Sequence, residues 1–213
     1  MTTTENALRV DGVAAFLDAL AAKVPAPGGG ATAALHLGQA AALVSMVARY
    51  TVGARYAEHE ALVTAVCADA DAVRGSALQL IDDDMAAFSG VISAYKMPKG
   101  TAAESESRSA AISTASVRAA EVPARVADGA ATVVDLAEKL LPVANPNVIS
   151  DVAAAADAAR AAATTARVNV EINLSSIADA STRASFVARM EGVDALAARA
   201  DAITDLVRKQ LTA

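Results

Sequence analysis

The chain has 213 residues, enough to bury a substantial core, and it is 54% apolar but only 3% aromatic. Its formal net charge of −6 argues against nucleic acid or an anionic membrane as a partner, and its single cysteine, Cys67, excludes an intrachain disulfide. About a quarter of the residues are alanine, the best helix former. Because small side chains bury little area each, we expect an all-α, single-domain bundle of long Ala-rich helices over residues 1–213, which dimerises.

Apolar residues at helical spacing predict two helices in the first part of the chain, separated by the sequence PAPGGG. The first covers residues 5–24, and the second runs from near Ala31 into the low fifties. Polar residues interrupt the apolar run Ala31–Ala48, which we interpret as a buried helix rather than a membrane span. The first ten residues contain no apolar signal core, so a soluble, cytoplasmic protein is expected.

A long helical pattern follows from Tyr56 to Tyr95 and ends at the breakers in KMPKG. Thr101 and Glu104 then fit a capping box, which predicts the start of another helix that runs towards residue 142. Pro123 lies inside this pattern and is expected to kink or split the helix.

Two more helices are predicted after the loop NPN. Ser150 or Asp151 is expected to cap the first of them. Residues 168–174 of that helix alternate apolar and polar side chains, as a strand does. Nothing before them would stop the helix and a lone strand would lack a partner, so helix is the prediction. A last helix is predicted over residues 179–210.

One carboxylate in the sequence LIDDDMAAF lies on an apolar helix face. The residues three and four positions before and after Asp84 are all apolar, whereas Asp82 points to the opposite side and Asp83 lies between. Two interpretations stay open: a buried Asp paired with a cation or a helix end, or a carboxylate desolvated for acid–base chemistry. Asp82 and Asp83 are expected to be exposed and dispensable.

The glycine turn, Gly28, Gly29 and Gly30, interrupts a helical chain directly before a helix start. Such a turn exposes backbone N–H groups and lets a ligand approach closely, but a plain connection between helices gives the same pattern. It is neither a Walker loop, because no Lys-Ser/Thr follows, nor a dinucleotide fingerprint, because no strand precedes it.

Four other polar side chains are candidates for a site. His36 and His59 have no partners at metal-ligand spacing, so no metal site is predicted. Asn169 and Asn173 lie one turn apart on one helix face. They form either a hydrogen-bonded pair between helices or contacts to a ligand.

Several motifs in order resemble the cyclodeaminase/cyclohydrolase family, which includes formimidoyltetrahydrofolate cyclodeaminase and a bacterial methenyltetrahydrofolate cyclohydrolase. They are PAPGGG with AALVSMVARYT, Asp84 with MAAF, MPKGT, ISDVAAAADAA and NVEINL. The likeness covers nearly the whole chain. It implies an all-α homodimer with no permanently bound cofactor and no metal, which takes a tetrahydrofolate derivative as its substrate.

Carried over by position, the resemblance implies that Asp84 is the catalytic carboxylate. The residues that it implies for substrate binding are Gly28, Gly29, Gly30, Lys99, Ser150, Asp151, Asn169 and Asn173. One position departs from the family pattern. The family usually has Ser directly after the glycines, and this chain has Ala31, so any hydroxyl contact at that point is lost.

The expected function is therefore a reaction at the carbon between N5 and N10 of tetrahydrofolate. The enzyme either closes an N5-formimino group to the methenyl bridge with loss of ammonia, or hydrolyses that bridge; the sequence leaves both open. A carboxylate in an apolar pocket suits both, because burial raises its pKa toward the working pH. The alternatives are a non-catalytic helical dimer that binds folate or a partner protein, and the same fold acting on another cyclic amidine or imine.

Overall fold

The computed structural model describes residues 3–212, with side chains described for residues 12–212. Within those residues all regular structure is helical, as predicted, with two short 3₁₀ segments at Ala54–His59 and Pro146–Val148. The α-helices are α1 (Thr3–Ala21), α2 (Gly29–Tyr50), α3 (Glu60–Tyr95), α4 (Ala102–Leu140), α5 (Ile149–Leu174), α6 (Ala180–Met190) and α7 (Val193–Leu211).

Helices α2, α3, α4 and α5 form the centre of the bundle. α2 packs against α3 and α5, and α4 packs against the same two helices, so the four close into a ring that α7 covers on its α5 side. The facing surfaces are rich in fully buried alanines, which let the helix axes approach closely along their length. Larger side chains such as Leu37 and Leu140 fill the spaces between them.

Helix α2 is, among the residues described, the one helix that is long and apolar enough to cross a membrane. Instead it lies inside the bundle, where its apolar residues pack against α3, α4 and α5. The prediction that this run is a buried helix is thus confirmed.

Local sequence signals predicted several features of the helices correctly. The capping box is present: Thr101 Oγ1 accepts a hydrogen bond from the Glu104 backbone N–H at 3.2 Å, and Glu104 Oε2 accepts one from Thr101 N–H at 2.9 Å. Residues 168–174 are the last two turns of α5, so the helix prediction is confirmed there. Pro123 lies within α4, which continues on both sides of it, so the expected split is wrong.

The start of α5 and the predicted last helix differ from expectation. α5 begins at Ile149 without a side-chain cap, so Ser150 and Asp151 lie in its first turn and the predicted cap is wrong. The predicted last helix is two helices, α6 and α7, separated near Gly192. The carboxylate of Asp179 caps α6 by accepting the Thr182 N–H at 2.6 Å.

Candidate active site

A cavity of about 330 Å³ lies where the start of α2 meets α3, α4 and α5. We call it the Asp84 cavity. Polar side chains from three helices open into a mainly apolar enclosure, which is the usual composition of a small-molecule site. The lining residues are Pro25, Ala26, Gly28, Gly29, Gly30, Asp84, Phe88, Val91, Tyr95, Ser116, Ala119, Asn169, Ile172, Asn173 and Ser176.

Asp84 is the carboxylate of this cavity. It is half-buried on α3, and the backbone N–H of Ala31, in the first turn of α2, lies where it favours the charged carboxylate. Burial raises the pKa of the Asp84 carboxyl above its ordinary value, although the Ala31 N–H acts in the opposite direction. Among the described residues no cationic side chain contributes to this pKa. Asp84 therefore faces a helix end and not a cation. Its carboxyl binds a proton more readily than that of an exposed Asp.

The glycine turn lets the Asp84 carboxylate lie directly against the backbone at the start of α2. The Asp84 carboxylate occupies the place of a side chain at position 30: a Cβ on Gly30 would lie 2.5 Å from Asp84 Cγ and 2.8 Å from Oδ2. A Cβ on Gly29 would lie 3.2 Å from Asn169 Nδ2, and one on Gly28 would meet nothing within 4 Å. Gly30 is thus required for the contact between α2 and α3, whereas Gly28 keeps the cavity wall open.

Asn169 and Asn173 extend the polar floor of the Asp84 cavity along α5. Asn169 Nδ2 donates to the Thr165 carbonyl at 2.8 Å, and Asn173 Nδ2 donates to the Asn169 carbonyl at 2.8 Å. A longer bond of 3.5 Å joins Asn173 Nδ2 to the Ala119 carbonyl on α4. Asn173 thus uses both of its side-chain N–H groups and Asn169 uses one of two, and the Oδ1 atoms of both remain as acceptors.

Residues that sequence reasoning did not assign to the site form its rim and part of its floor. Phe88 on α3 and Ile172 on α5 are exposed by 42% and 75%, so both present apolar surface to solvent at the cavity wall. Phe88 lies one turn beyond Asp84, and Ile172 lies one turn beyond Asn169. Tyr95 closes one end, with its hydroxyl 3.4 Å from Ser176 Oγ. Helical spacing could have predicted these residues, because residues three, four or eleven positions apart lie on the same face of a helix. Phe88 and Ile172 follow a predicted site residue by four and three positions, and Tyr95 follows Asp84 by eleven.

The sequence profile of the formiminotransferase-cyclodeaminase family matches residues 12–192. The chain belongs to this family. It is 41% identical over 141 residues to the methenyltetrahydrofolate cyclohydrolase of Methylorubrum extorquens, a match that covers 66% of this chain and 68% of that protein. It is 31% identical over 152 residues to the formimidoyltransferase-cyclodeaminase of Rattus norvegicus, covering 71% of this chain but 28% of that longer protein.

A solved structure shares the fold of this family member. The crystal structure of formiminotetrahydrofolate cyclodeaminase from Thermotoga maritima superimposes with a TM-score of 0.81 at 29% sequence identity. The superposition covers 92% of this chain and 95% of that one. The all-α bundle is therefore the fold of a solved relative along nearly its entire length.

Three residues that the family resemblance implies for binding lie away from the Asp84 cavity of this chain. Lys99 is exposed in the loop between α3 and α4. Ser150 and Asp151 lie in the first turn of α5, and Asp151 is 18 residues before Asn169, about 27 Å along the helix axis. A single chain thus brings together Asp84, the glycine turn and the two asparagines but not these three, whose part in binding stays a prediction.

The histidines and the cysteine lie outside the Asp84 cavity. His36 Nδ1 is 3.3 Å from Gln39 Oε1, and His59 ends the 3₁₀ segment before α3. Cys67 is half-buried and packs against the core, and its thiol points to the Ser45 carbonyl at 3.9 Å. Within residues 12–212, no three His, Cys, Asp or Glu side chains come together as metal ligands.

Proposed function

We propose that this protein is a one-carbon enzyme that acts at the carbon between N5 and N10 of tetrahydrofolate, and that it hydrolyses the methenyl bridge. The observation that carries the proposal is the position of Asp84, a carboxylate without a cation partner in an apolar cavity. The 41% identical relative is named methenyltetrahydrofolate cyclohydrolase, which favours hydrolysis as the reaction.

In the proposed reaction, water adds to the cationic amidinium carbon of the bridge and loses a proton. A carbon–nitrogen bond then breaks as its nitrogen takes up a proton and the new hydroxyl releases its proton to solvent, which leaves a formyl group on the other nitrogen. A carboxylate can accept the first proton and return the second, and such acid–base help is typically worth about 10²–10⁴-fold. In its charged form Asp84 also faces the amidinium cation, and the apolar surroundings of the carboxylate strengthen that attraction.

The rest of the cavity suits a flat, polar-edged ring. The Oδ1 atoms of Asn169 and Asn173 accept hydrogen bonds from N–H groups, such as those along the edge of a pterin. Phe88 and Ile172 offer apolar surface to the ring faces. The N–H groups of the glycine turn and Lys99 are the proposed contacts for the anionic tail.

Cyclodeamination is the second candidate, because the solved relative that shares the fold is named formiminotetrahydrofolate cyclodeaminase. There N10 attacks the N5-formimino carbon, and ammonia leaves after taking up a proton, which gives the methenyl bridge. The same carboxylate serves, since this reaction also needs one proton removed and one delivered at the same carbon.

The test is to mix purified protein with 5,10-methenyltetrahydrofolate and follow its near-ultraviolet absorbance, and in parallel to measure ammonia release from 5-formiminotetrahydrofolate. Loss of the methenyl absorbance above the uncatalysed rate supports hydrolysis, and ammonia release supports cyclodeamination. If both activities are absent but folate still binds, the protein is a folate-binding protein without catalysis. Neither activity nor folate binding would contradict the assignment altogether.

We propose further that the working unit is a homodimer. A groove of about 760 Å³ between α3 and α4 is lined largely by small residues, among them Ala86, Gly90, Ala94, Ala111 and Ala115, which would let a second copy approach closely. On α1, Val13 and Leu17 expose 61% and 52% of their surface. Light scattering should give a dimer for the parent and for Ala202→Glu on the exposed face of α7, and a monomer for Ala111→Glu. A monomeric parent at micromolar concentration would contradict the proposal.

The proposed setting is the cytoplasm, with the folate derivative as substrate and no resident metal or cofactor. Both candidate reactions are additions and eliminations at one carbon with proton transfers, which a carboxylate can serve by itself. Activity that survives exhaustive treatment with a chelator would support this, whereas activity restored by an added metal would contradict it.

A further inference from the structure

Ser116 on α4 is a buried polar residue that the proposed mechanism does not yet use. It is 1% exposed, and it lines the Asp84 cavity. The buried polar residues of the described chain also include Thr51, whose hydroxyl donates to the Val47 carbonyl at 2.8 Å and accepts the Asn145 N–H at 3.0 Å. The Thr51 hydroxyl is thus bonded within the fold.

Ser116 differs from Thr51 and from other hydroxyls on the helices. Ser89, Ser93 and Ser109 each donate to the carbonyl four residues earlier, at 2.9 Å. Within the described residues Ser116 has no such bond, and no other protein atom accepts from its hydroxyl. Among the described residues, the fully enclosed side-chain oxygen without a partner is Ser45 Oγ, and Ser116 Oγ is not enclosed in this way. Because Ser116 lines the cavity and its hydroxyl has no bond within the protein, its partner is to be expected in the cavity itself.

The hydroxyl also adds a buried donor to the floor of the cavity, whereas the Tyr95 and Ser176 hydroxyls lie 3.4 Å from each other at one end. Asp84, when ionised, and the Oδ1 atoms of Asn169 and Asn173 are acceptors. Asn173 Nδ2 donates to two backbone carbonyls, and Asn169 uses one of its two Nδ2 hydrogens on the Thr165 carbonyl. The Ser116 O–H is therefore a buried side-chain donor beside a set of acceptors.

We infer that Ser116 is a specificity-determining residue, whose O–H donates to an acceptor atom of the bound heterocycle while Asp84 and the asparagines face its cationic and N–H-bearing parts. This rests on the proposed function. It narrows the substrate class to rings in which an acceptor atom lies near N–H groups, as the carbonyl oxygen and ring N–H of a pterin do. A purely cationic or purely apolar ring would leave the hydroxyl unpaired.

The test compares Ser116→Ala with Ser45→Ala, because Ser45 is equally buried at 1% and does not line the cavity. We expect Ser116→Ala to raise KM for 5,10-methenyltetrahydrofolate and the Kd for folic acid, a non-reacting probe, about 5- to 10-fold, the range of one hydrogen bond. The melting temperature should be unchanged or higher, since no bond within the fold is removed. Ser45→Ala should leave both KM and Kd at the parent values.

Two results would overturn the inference. One is Ser116→Ala with parent KM and parent Kd for folic acid. The other is a loss of melting temperature with unchanged Kd, which would show that the hydroxyl stabilises the fold. If the parent both turns over its substrate and binds folic acid, either result removes the role of Ser116 and leaves the proposed function standing. If the parent neither turns over the substrate nor binds folic acid, the proposed function and the role of Ser116 are both contradicted.

Discussion

Two adjacent carboxylates on α3 face two different clefts. Asp83 lines the α3–α4 groove of about 760 Å³, and Asp84 lines the Asp84 cavity of about 330 Å³. Asp83 accepts a hydrogen bond from Gln79 Nε2 at 3.1 Å and lies 3.5 Å from Arg125. Asp84 instead lies near the Ala31 N–H, and burial raises the pKa of its carboxyl.

We propose that the pairing of charges, and not the size of a cleft, distinguishes the active site from the larger groove. Both carboxylates of the larger groove are neutralised, Asp83 by Arg125 and Glu121 by Arg189 at 2.9 Å. Asp84 has no such cation, and a desolvated carboxylate without a cation exchanges a proton near neutral pH more readily than an ordinary carboxylate. The sequence-based expectation that Asp82 is exposed is confirmed, but Asp83 is half-buried in an ion pair, contrary to expectation.

The largest effect is expected when Asp84 loses its charge. Asp84→Asn should lower turnover at least about 100-fold, because it removes proton transfer while keeping the size of the side chain. Its stability near neutral pH should match or exceed that of the parent, since a partly buried charge is no longer desolvated. Turnover and thermal melts on the same samples check this, with Asp82→Asn as the surface control. An active but destabilised Asp84→Asn would end the catalytic assignment.

The glycine turn should show a graded response to added side chains. Gly30→Ala should displace the Asp84 carboxylate, lowering turnover about tenfold or more and stability by about 1–3 kcal/mol, the usual range for overpacking. Gly29→Val should weaken folate binding by pressing on Asn169. Gly28→Ala, where a Cβ meets nothing within 4 Å, is the control for the fold and should be the mildest. Equal effects at Gly28 and Gly30 would show that the turn is merely a connector.

The apolar rim should affect binding more than chemistry. Phe88→Ala or Ile172→Ser should raise the Kd for folic acid about 3- to 10-fold, since each removes apolar contact with a ring. Val168→Ser on α5 is the matched control, because Val168 is 58% exposed and does not line the cavity. A Kd that is unchanged in the rim variants would mean that the ring lies elsewhere.

The pH dependence should separate the two carboxylates. Activity should fall on the acid side as Asp84 takes up a proton, at a higher pH than an exposed Asp would give, and this limb should vanish in Asp84→Asn. Because the pKa of Asp84 is raised in the fold, its contribution to stability is present below its ordinary pKa and is lost as the pH rises through the raised value. The melting temperature of Asp84→Asn, compared with that of the parent, should therefore increase from acid to neutral pH. A constant difference would contradict the raised pKa.

The smallest effect is expected for the partly exposed ion pair. Asp83→Asn and Arg125→Gln should each change stability by less than about 1 kcal/mol and leave turnover within about twofold, because such pairs contribute little. Urea unfolding and turnover measure both. A large loss of turnover in Asp83→Asn would remove the distinction between the two clefts.

Much of the fold followed from the sequence by itself, because helices depend on contacts within four residues. The Ala-rich composition, the 3.6-residue spacing of apolar side chains and the capping box at Thr101 and Glu104 are all local signals. The same periodicity put Asp84, and not Asp82, on the packing face. Local signals failed at the start of α5, which has no side-chain cap, and at the break near Gly192, where the apolar spacing continues into the next helix.

The tertiary structure decided what surrounds each side chain, because helical periodicity gives the direction of a residue but not its neighbours. It brought Gly30 beneath Asp84 and Gly29 beside Asn169, from helices more than fifty residues apart in the chain. It placed Phe88, Ile172 and Ser116 around the same cavity, and Ser150 and Asp151 at the far end of α5. It also supplied Arg125 to Asp83, whereas Asp84 received the Ala31 N–H. The charge state of a carboxylate depends on those partners and on burial, which are properties of packing and not of sequence spacing.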